Sequence, residues 1–228
     1  MASSCGPDIS ESGLVLYLDA ANRESHPGSG TFWYDLVKRN TSSYQNGPTF
    51  STDYGGTMNF AGLNTYVYTY NDASYSFGTG DFTIESWVWM NSINAGSAPT
   101  PFLQNDPVGG STADKWWFGL NSGLLFLGKH SGGGAVYSTW SGVTTNRWYQ
   151  IVATRSSSSY ALYINGTSQT VQGTITNANM GQNGISIGGM STPFWLNGKI
   201  SVVKLYNRGL NAGEVAQNFS AFRSRYGV

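Results

Sequence analysis

Gly198-Lys-Ile-Ser-Val-Val-Lys-Leu-Tyr-Asn-Arg-Gly-Leu-Asn-Ala-Gly-Glu-Val-Ala-Gln-Asn-Phe219 reads as a strand, a turn and a capped helix that close a chain otherwise β in pattern. Ile200, Val202, Val203 and Leu205 place apolar residues on both faces of the strand, which suits a strand covered on both sides. Asn211 stands three residues before Glu214. At that spacing a cap side chain and a carboxylate satisfy each other's free backbone donors. Val215, Phe219 and Phe222 follow at helical spacing, so a helix of about three turns presents one apolar face to the sheet. Asn207-Arg208 then reads as the turn that seats Phe219 and Phe222, in preference to a ligand site.

Upstream, short apolar runs alternate with turn signals. Strands are predicted over residues 13–19, 56–60, 65–70, 82–90, 115–120, 123–128, 135–140, 148–155, 160–164, 167–171, 184–188 and 199–206. Phe82-Thr-Ile-Glu-Ser-Trp-Val-Trp-Met90 is the clearest central strand, with apolar side chains on both faces. Asn165-Gly166 is the strongest hairpin signal, because both turn positions need positive φ. Residues 22–48 and 91–114 are rich in Gly, Ser, Pro and Asn and read as long irregular connections. Within the first, Phe32, Trp33, Tyr34 and Leu36 are expected to pin the loop to the fold. About a dozen short strands with no repeat and no linker predict one all-β domain, a two-sheet sandwich or a barrel, over residues 13–228. Residues 1–12 read as an N-terminal arm, either a disordered tail or an extension docked on a neighbour through Cys5, Pro7, Asp8 and Ile9.

Composition narrows the function classes. The 228 residues carry twelve basic and twelve acidic side chains, only 11% charged in all. That balance offers nothing to a phosphate backbone or an anionic membrane surface. Solubility rests on neutral polar residues, which suits a protein fixed in an assembly or exposed outside a cell. Cys5 is the single cysteine, so no internal disulfide forms. The N-terminus has neither a basic region nor an apolar run, so no secretory signal is expected and an extracellular role implies release by lysis. No stretch approaches the roughly 20 apolar residues that cross a bilayer.

Five segments, Phe82–Val88, Arg147–Arg155, Leu162–Gly166, Ile185–Gly189 and the closing run, come in an order that resembles the laminin G-like, concanavalin A-like superfamily. The resemblance implies an antiparallel two-sheet jelly-roll sandwich with a short C-terminal helix. It also implies that residues 13–19 lie beside residues 199–206. Pro7-Asp-Ile, Gly13–Asn22 and His26–Leu36, with Leu205–Leu210 and Arg225-Tyr-Gly, are similar to laminin G-like units in structural proteins of tailed bacteriophages, those of cyanobacterial phages nearest. That narrower likeness implies a component of a virion surface, a head decoration, cement or fibre protein.

Chemistry is sparse. Relatives that hydrolyse glycans carry Glu-x-Asp-x-Glu on one strand, where alternate side chains share a face. Here Glu85 is flanked at those positions by Thr83 and Trp87, and is expected to be paired or hydrated at the sheet surface. His26 and His130 lie in loops, without the spacing of a metal pair. No nucleophile elbow or phosphate loop is present. Relatives hold calcium at the sandwich rim through a segment that here reads Phe60-Ala-Gly-Leu-Asn-Thr-Tyr66. The acidic positions are Ala61 and Thr65, which leaves Asn64 as the one side-chain donor; Asp106 and Asp114 are fallback donors. For carbohydrate, Trp116, Trp117, Tyr137 and Trp140 are candidate platforms on the concave sheet, with Asn105, Asp106 and Asn121 as polar partners. Strand alternation sends Trp116 and Trp117 to opposite faces, so one of them is core. The leading expectation is a non-enzymatic virion module that contacts other virion proteins or copies of itself. A glycan-binding adhesin is the alternative, and a glycoside hydrolase the remote one.

Overall fold

The computed structural model describes residues 8–62, 64–93, 99–105, 115–129, 133–176, 179–181, 184–189 and 195–228. Two antiparallel sheets face each other. The first contains β1 (Leu14–Asp19), β4 (Thr49–Ser51), β5 (Thr57–Ala61), β7 (Phe82–Met90), β12 (Trp148–Ser156), β13 (Ser159–Ile164), β14 (Thr167–Gln169) and β17 (Asn197–Tyr206). The second contains β2 (Phe32–Tyr34), β3 (Thr41–Gln45), β6 (Tyr66–Thr69), β8 (Pro99–Gln104), β9 (Trp116–Asn121), β10 (Leu124–Lys129), β11 (Gly134–Ser138), β15 (Val171–Ile175) and β16 (Ser186–Ile187). Strand order is β14-β13-β12-β7-β17-β5-β4 in the first sheet and β15-β11-β10-β9-β8-β16-β6-β3-β2 in the second. β1 pairs antiparallel with β17, as the family likeness implies.

The expected sandwich follows from alternation. Phe82, Ile84, Val88 and Met90 point from β7 into the core, where they meet Leu103, Trp116, Phe118, Leu125 and Leu127 of the second sheet. Thr83, Glu85, Trp87 and Trp89 take the other face. That face is covered too, because helix α1 (Ala212–Tyr226) packs on it. The sequence predicts about three turns; the 15 residues make about four. Asn211 caps it as expected: its Oδ1 accepts the Glu214 N–H at 3.0 Å, and Glu214 Oε2 accepts the Asn211 N–H at 2.9 Å. Phe222 and Tyr226 bury against Trp87, Trp148 and Val202, with the Tyr226 ring 4.3 Å from that of Trp87. Each such ring contributes about 1.5–3 kcal/mol of burial. In β17 a register shift between Ile200 and Val202 lets Ile200 face the core and Val202 face the helix.

Two connections predicted as irregular contain strands. Within residues 22–48, β2 and β3 extend the second sheet; Trp33 is buried and Phe32 exposed. Within residues 91–114, β8 joins β9 despite Pro99 and Pro101, and the register shifts between Pro101 and Leu103. A prolyl nitrogen donates nothing to a ladder, so proline sits at a strand start or an irregularity. The strand predicted over 167–171 is two strands, β14 and β15, in different sheets, and Thr170 is where the chain crosses.

Candidate functional site

Trp140 is an exposed aromatic with a built surround. Just before it, Ser138 Oγ donates to the Trp140 carbonyl at 3.0 Å and accepts the Leu125 N–H at 3.1 Å. The Thr139 N–H donates to the Thr170 carbonyl at 2.9 Å, which ties the end of β11 to the crossing between sheets. The indole rests on Gly142, where a Cβ would overlap its ring. One face is therefore seated on main chain, yet the side chain remains 45% exposed.

The opposite wall is the hairpin of β13 and β14. Asn165 and Gly166 have φ of 50° and 75°, the two positive values that such a two-residue turn requires. Asn165 Oδ1 accepts the Gln150 N–H at 2.9 Å, and Gln150 Oε1 accepts the Gly166 N–H at 3.0 Å. The turn is thus bolted to the centre of the first sheet. Between the walls lies a groove of about 410 Å³. Thr139, Thr167 and Thr170 bring hydroxyls to it, and Asn165 and Gln169 bring amides. No charged side chain lines it. An aromatic face bordered by neutral donors and acceptors suits a ligand with an apolar C–H face and hydroxyl edges. Fixed anions gain nothing there, because no cation answers them.

The other predicted carbohydrate residues do not gather at this groove. Trp116 is fully buried between the sheets, its ring 6.0 Å from that of Phe77, so it is core and offers no platform. Trp117 and Tyr137 share the outer face of the second sheet, half-buried, with Tyr137 stacked on Phe126 at 5.9 Å. Asn105 is fully buried, and its Oδ1 accepts the Trp116 N–H at 2.5 Å, a structural bond. Asn121 is half-buried beside the β9–β10 turn and accepts the Ser122 hydroxyl at 3.3 Å. Asp106, Asp114, His130, Cys5 and Pro7 lie outside the described residues. Sequence reading missed the hairpin wall, although Asn165-Gly166 was the signal for it. It also missed Gly142, which has none.

Glu85 is corrected in position. It is not at the sheet surface but fully buried beneath α1, with Lys204 Nζ at 2.9 Å. Gln150 Nε2 donates to it at 3.0 Å and Asn218 Nδ2 at 2.6 Å. Burial pulls the Lys204 ammonium below the usual lysine range, against the attraction of Glu85. The helix shields this carboxylate from any substrate. His26 is likewise buried, stacked on Phe50 at 4.1 Å, with Nδ1 accepting the Gly28 N–H.

The arm residues in view fold back on their own chain. The Ser10 N–H donates to Asn218 Oδ1 at 2.8 Å, Gln217 Nε2 donates to the Asp8 carbonyl, and Ile9 packs beside the Trp87–Phe222 cluster. Arg208 locks the layer, donating to the Ser12 carbonyl and to both Glu214 oxygens.

The calcium segment does not fit a hard dication. Asn64 is exposed at φ 55°, and its carbonyl accepts the Asn46 side chain. Thr65 is buried, with its hydroxyl accepting the Ala61 N–H at 3.2 Å. One neutral carboxamide supplies no charge to offset dehydration. Among the described residues, no three His, Cys, Asp or Glu side chains cluster, and no helix is long and apolar enough to cross a membrane.

Solved structures with this fold include the sialidase of Trypanosoma rangeli, at TM-score 0.68 and 18% identity over 96% of this chain. The chain spans about a third, 34%, of that sialidase's length. The binding domain of Paraclostridial Mosquitocidal Protein 1 matches at TM-score 0.67 and 19% identity, covering 91% of this chain and 52% of that one. Domain 4 of AbnA, an extracellular arabinanase from Geobacillus stearothermophilus solved with arabinotriose, matches at TM-score 0.69 and 14% identity, covering 92% of this chain and all of that domain. Among curated proteins no sequence is significantly similar. The family model for the concanavalin A-like lectin/glucanases superfamily matches residues 60–216, from the end of β5 into α1, and the chain belongs to that superfamily.

Proposed function

We propose that this chain is a non-catalytic module that binds a neutral glycan in the Trp140 groove. The observation that carries the reading is the exposed indole on its Gly142 seat, facing hydroxyl and amide side chains with no formal charge. A sugar ring stacks its C–H face on the indole and exchanges hydrogen bonds with Asn165, Thr167 and Gln169. The arabinanase domain, solved with arabinotriose, and the mosquitocidal binding domain share the fold and favour this use of it. A neutral lining favours pentose or hexose chains over sialic acid. The non-catalytic part of the reading rests on Glu85, which lies under α1 with an ammonium and two amides on its oxygens.

A carbohydrate microarray tests it. The wild-type chain is expected to retain neutral oligosaccharides, and Trp140→Ala to lose them with an unchanged melting temperature. A blank array from folded wild-type protein contradicts the reading.

A tailed-phage virion component is the second reading. It is motivated by the sequence likeness of the opening and closing segments to phage structural proteins; in the fold these segments lie together, β1 beside β17 and the arm along α1. The two roles combine in a particle-borne module that holds host-surface glycan. Mass spectrometry of purified particles carrying the gene tests the placement, and absence of the chain from them contradicts it.

A further inference from the structure

We infer that the second sheet carries a second neutral-glycan site, built on Tyr70 and Tyr68 at the far side from the Trp140 groove. Tyr66, Tyr68 and Tyr70 occupy alternate positions, while Val67 and Thr69 between them are buried in the core. The Tyr70 N–H donates to the Thr41 carbonyl, so the ladder, and with it the alternation, continues past the end of β6. Three tyrosines therefore face outward with a repeat of about 7 Å. Tyr70 is 62% exposed, more than any other large apolar side chain among the described residues.

Around it lies a groove of about 330 Å³ lined by Thr41, Ser43, Tyr68, Thr69, Tyr70 and Asn71. The Tyr68 hydroxyl donates to Asn71 Oδ1 at 3.0 Å, and the pair sits over Gly184, where a Cβ would strike both. The lining is again aromatic, hydroxyl and amide, with no formal charge. Next to it, Asp72 is neutralised by Lys38 at 2.8 Å. The occupant that this chemistry fits is an uncharged sugar with one apolar face, not a phosphate, a basic peptide or an apolar helix.

Counting strands from β11 to β6 through β10, β9, β8 and β16 gives five steps in the sheet order. At the usual spacings the two grooves lie about 24 Å apart across the strands and about as far again along them, because Trp140 follows β11 and Tyr70 follows the oppositely running β6. A single polysaccharide reaches both, and the second contact then forms at the high effective concentration of a tethered ligand. The inference shares with the Trp140 reading only the class of ligand, and its residues are separate.

Calorimetric titration with the neutral trisaccharides of arabinose, xylose and glucose tests it, on wild type, Trp140→Ala, Tyr70→Ala and the double variant. Expected are two equivalents of a trisaccharide on wild type, one on each single variant and none on the double. With the corresponding soluble polymer, each single variant is expected to bind at least tenfold more weakly. Loss of all binding in Trp140→Ala overturns the second site and leaves the first. Loss of all binding in Tyr70→Ala, with Trp140→Ala unaffected, sustains the tyrosine site and overturns the first. No binding of any of these trisaccharides by folded wild type overturns both. Tyr70 is exposed, so melting temperature separates loss of binding from loss of fold.

Discussion

His26 is a buried imidazole with one ring nitrogen satisfied and Nε2 without a hydrogen-bond partner. Burial first, and Arg23 second, push its pKa below the ordinary 6.5. The unfolded chain therefore binds the proton more readily than the folded one between those two values. Stability is full above about pH 6.5 and falls as the pH drops toward the folded-state value. Melting temperature is expected to decline from pH 7.5 to 5, and His26→Phe to flatten that slope; parallel slopes in the two proteins contradict the assignment. Glu214, held down to about 2 chiefly by Arg208, loses its charge far below this window. The Glu85–Lys204 pair behaves differently, since both side chains are fully buried. Lys204→Met leaves a carboxylate with only two amide donors, and removing one partner of such a pair costs about 3–5 kcal/mol. Urea denaturation measures this, and a loss below 1 kcal/mol contradicts the tight pairing.

At the scale of elements, the arm, β17 and α1 act as one unit. Ser10 satisfies the carbonyl oxygen of Asn218, whose amide donates to Glu85 and to the Tyr206 hydroxyl. Deleting residues 1–12 orphans a partly buried acceptor and frees Arg208 of its Ser12 contact, at an expected cost of about 1–3 kcal/mol in urea. Unchanged stability contradicts the docking of the arm. How much of this was legible depends on whether the signal was local. The capping box of Asn211 and Glu214, the Asn165-Gly166 turn and the alternation of β7 are properties of neighbouring residues, and each stands where the sequence puts it. β8 was hidden because Pro99 and Pro101 read as loop, and only pairing with β9 makes a strand of them. Glu85 was misplaced because the helix that covers it lies more than a hundred residues away in sequence. The aromatic platforms were half legible. Alternation gave one buried and one outward tryptophan at 116 and 117, but nothing local said which. The exposure of Trp140 depends on Gly142 and on a hairpin from another sheet.

At the scale of the molecule, the helix covers one face of the sandwich, and the candidate contacts are left to the second sheet and its edges. A carbohydrate-binding role and the buried position of Glu85 fit together: the fold presents neutral grooves on its rim while the carboxylate of its central strand serves the core. The most direct measurement is a two-dimensional NMR titration of nitrogen-labelled protein with the oligosaccharide that the microarray selects, followed by a reducing-end assay. The eight tryptophans supply eight indole N–H signals. The Trp140 signal is expected to move with saturation while those of buried Trp33, Trp87, Trp116 and Trp148 stay in place, and the oligosaccharide is expected to emerge uncut. A bound glycan that leaves the Trp140 signal unmoved, or new reducing ends that disappear with Glu85→Gln, would contradict a module that holds sugar at Trp140 without cleaving it.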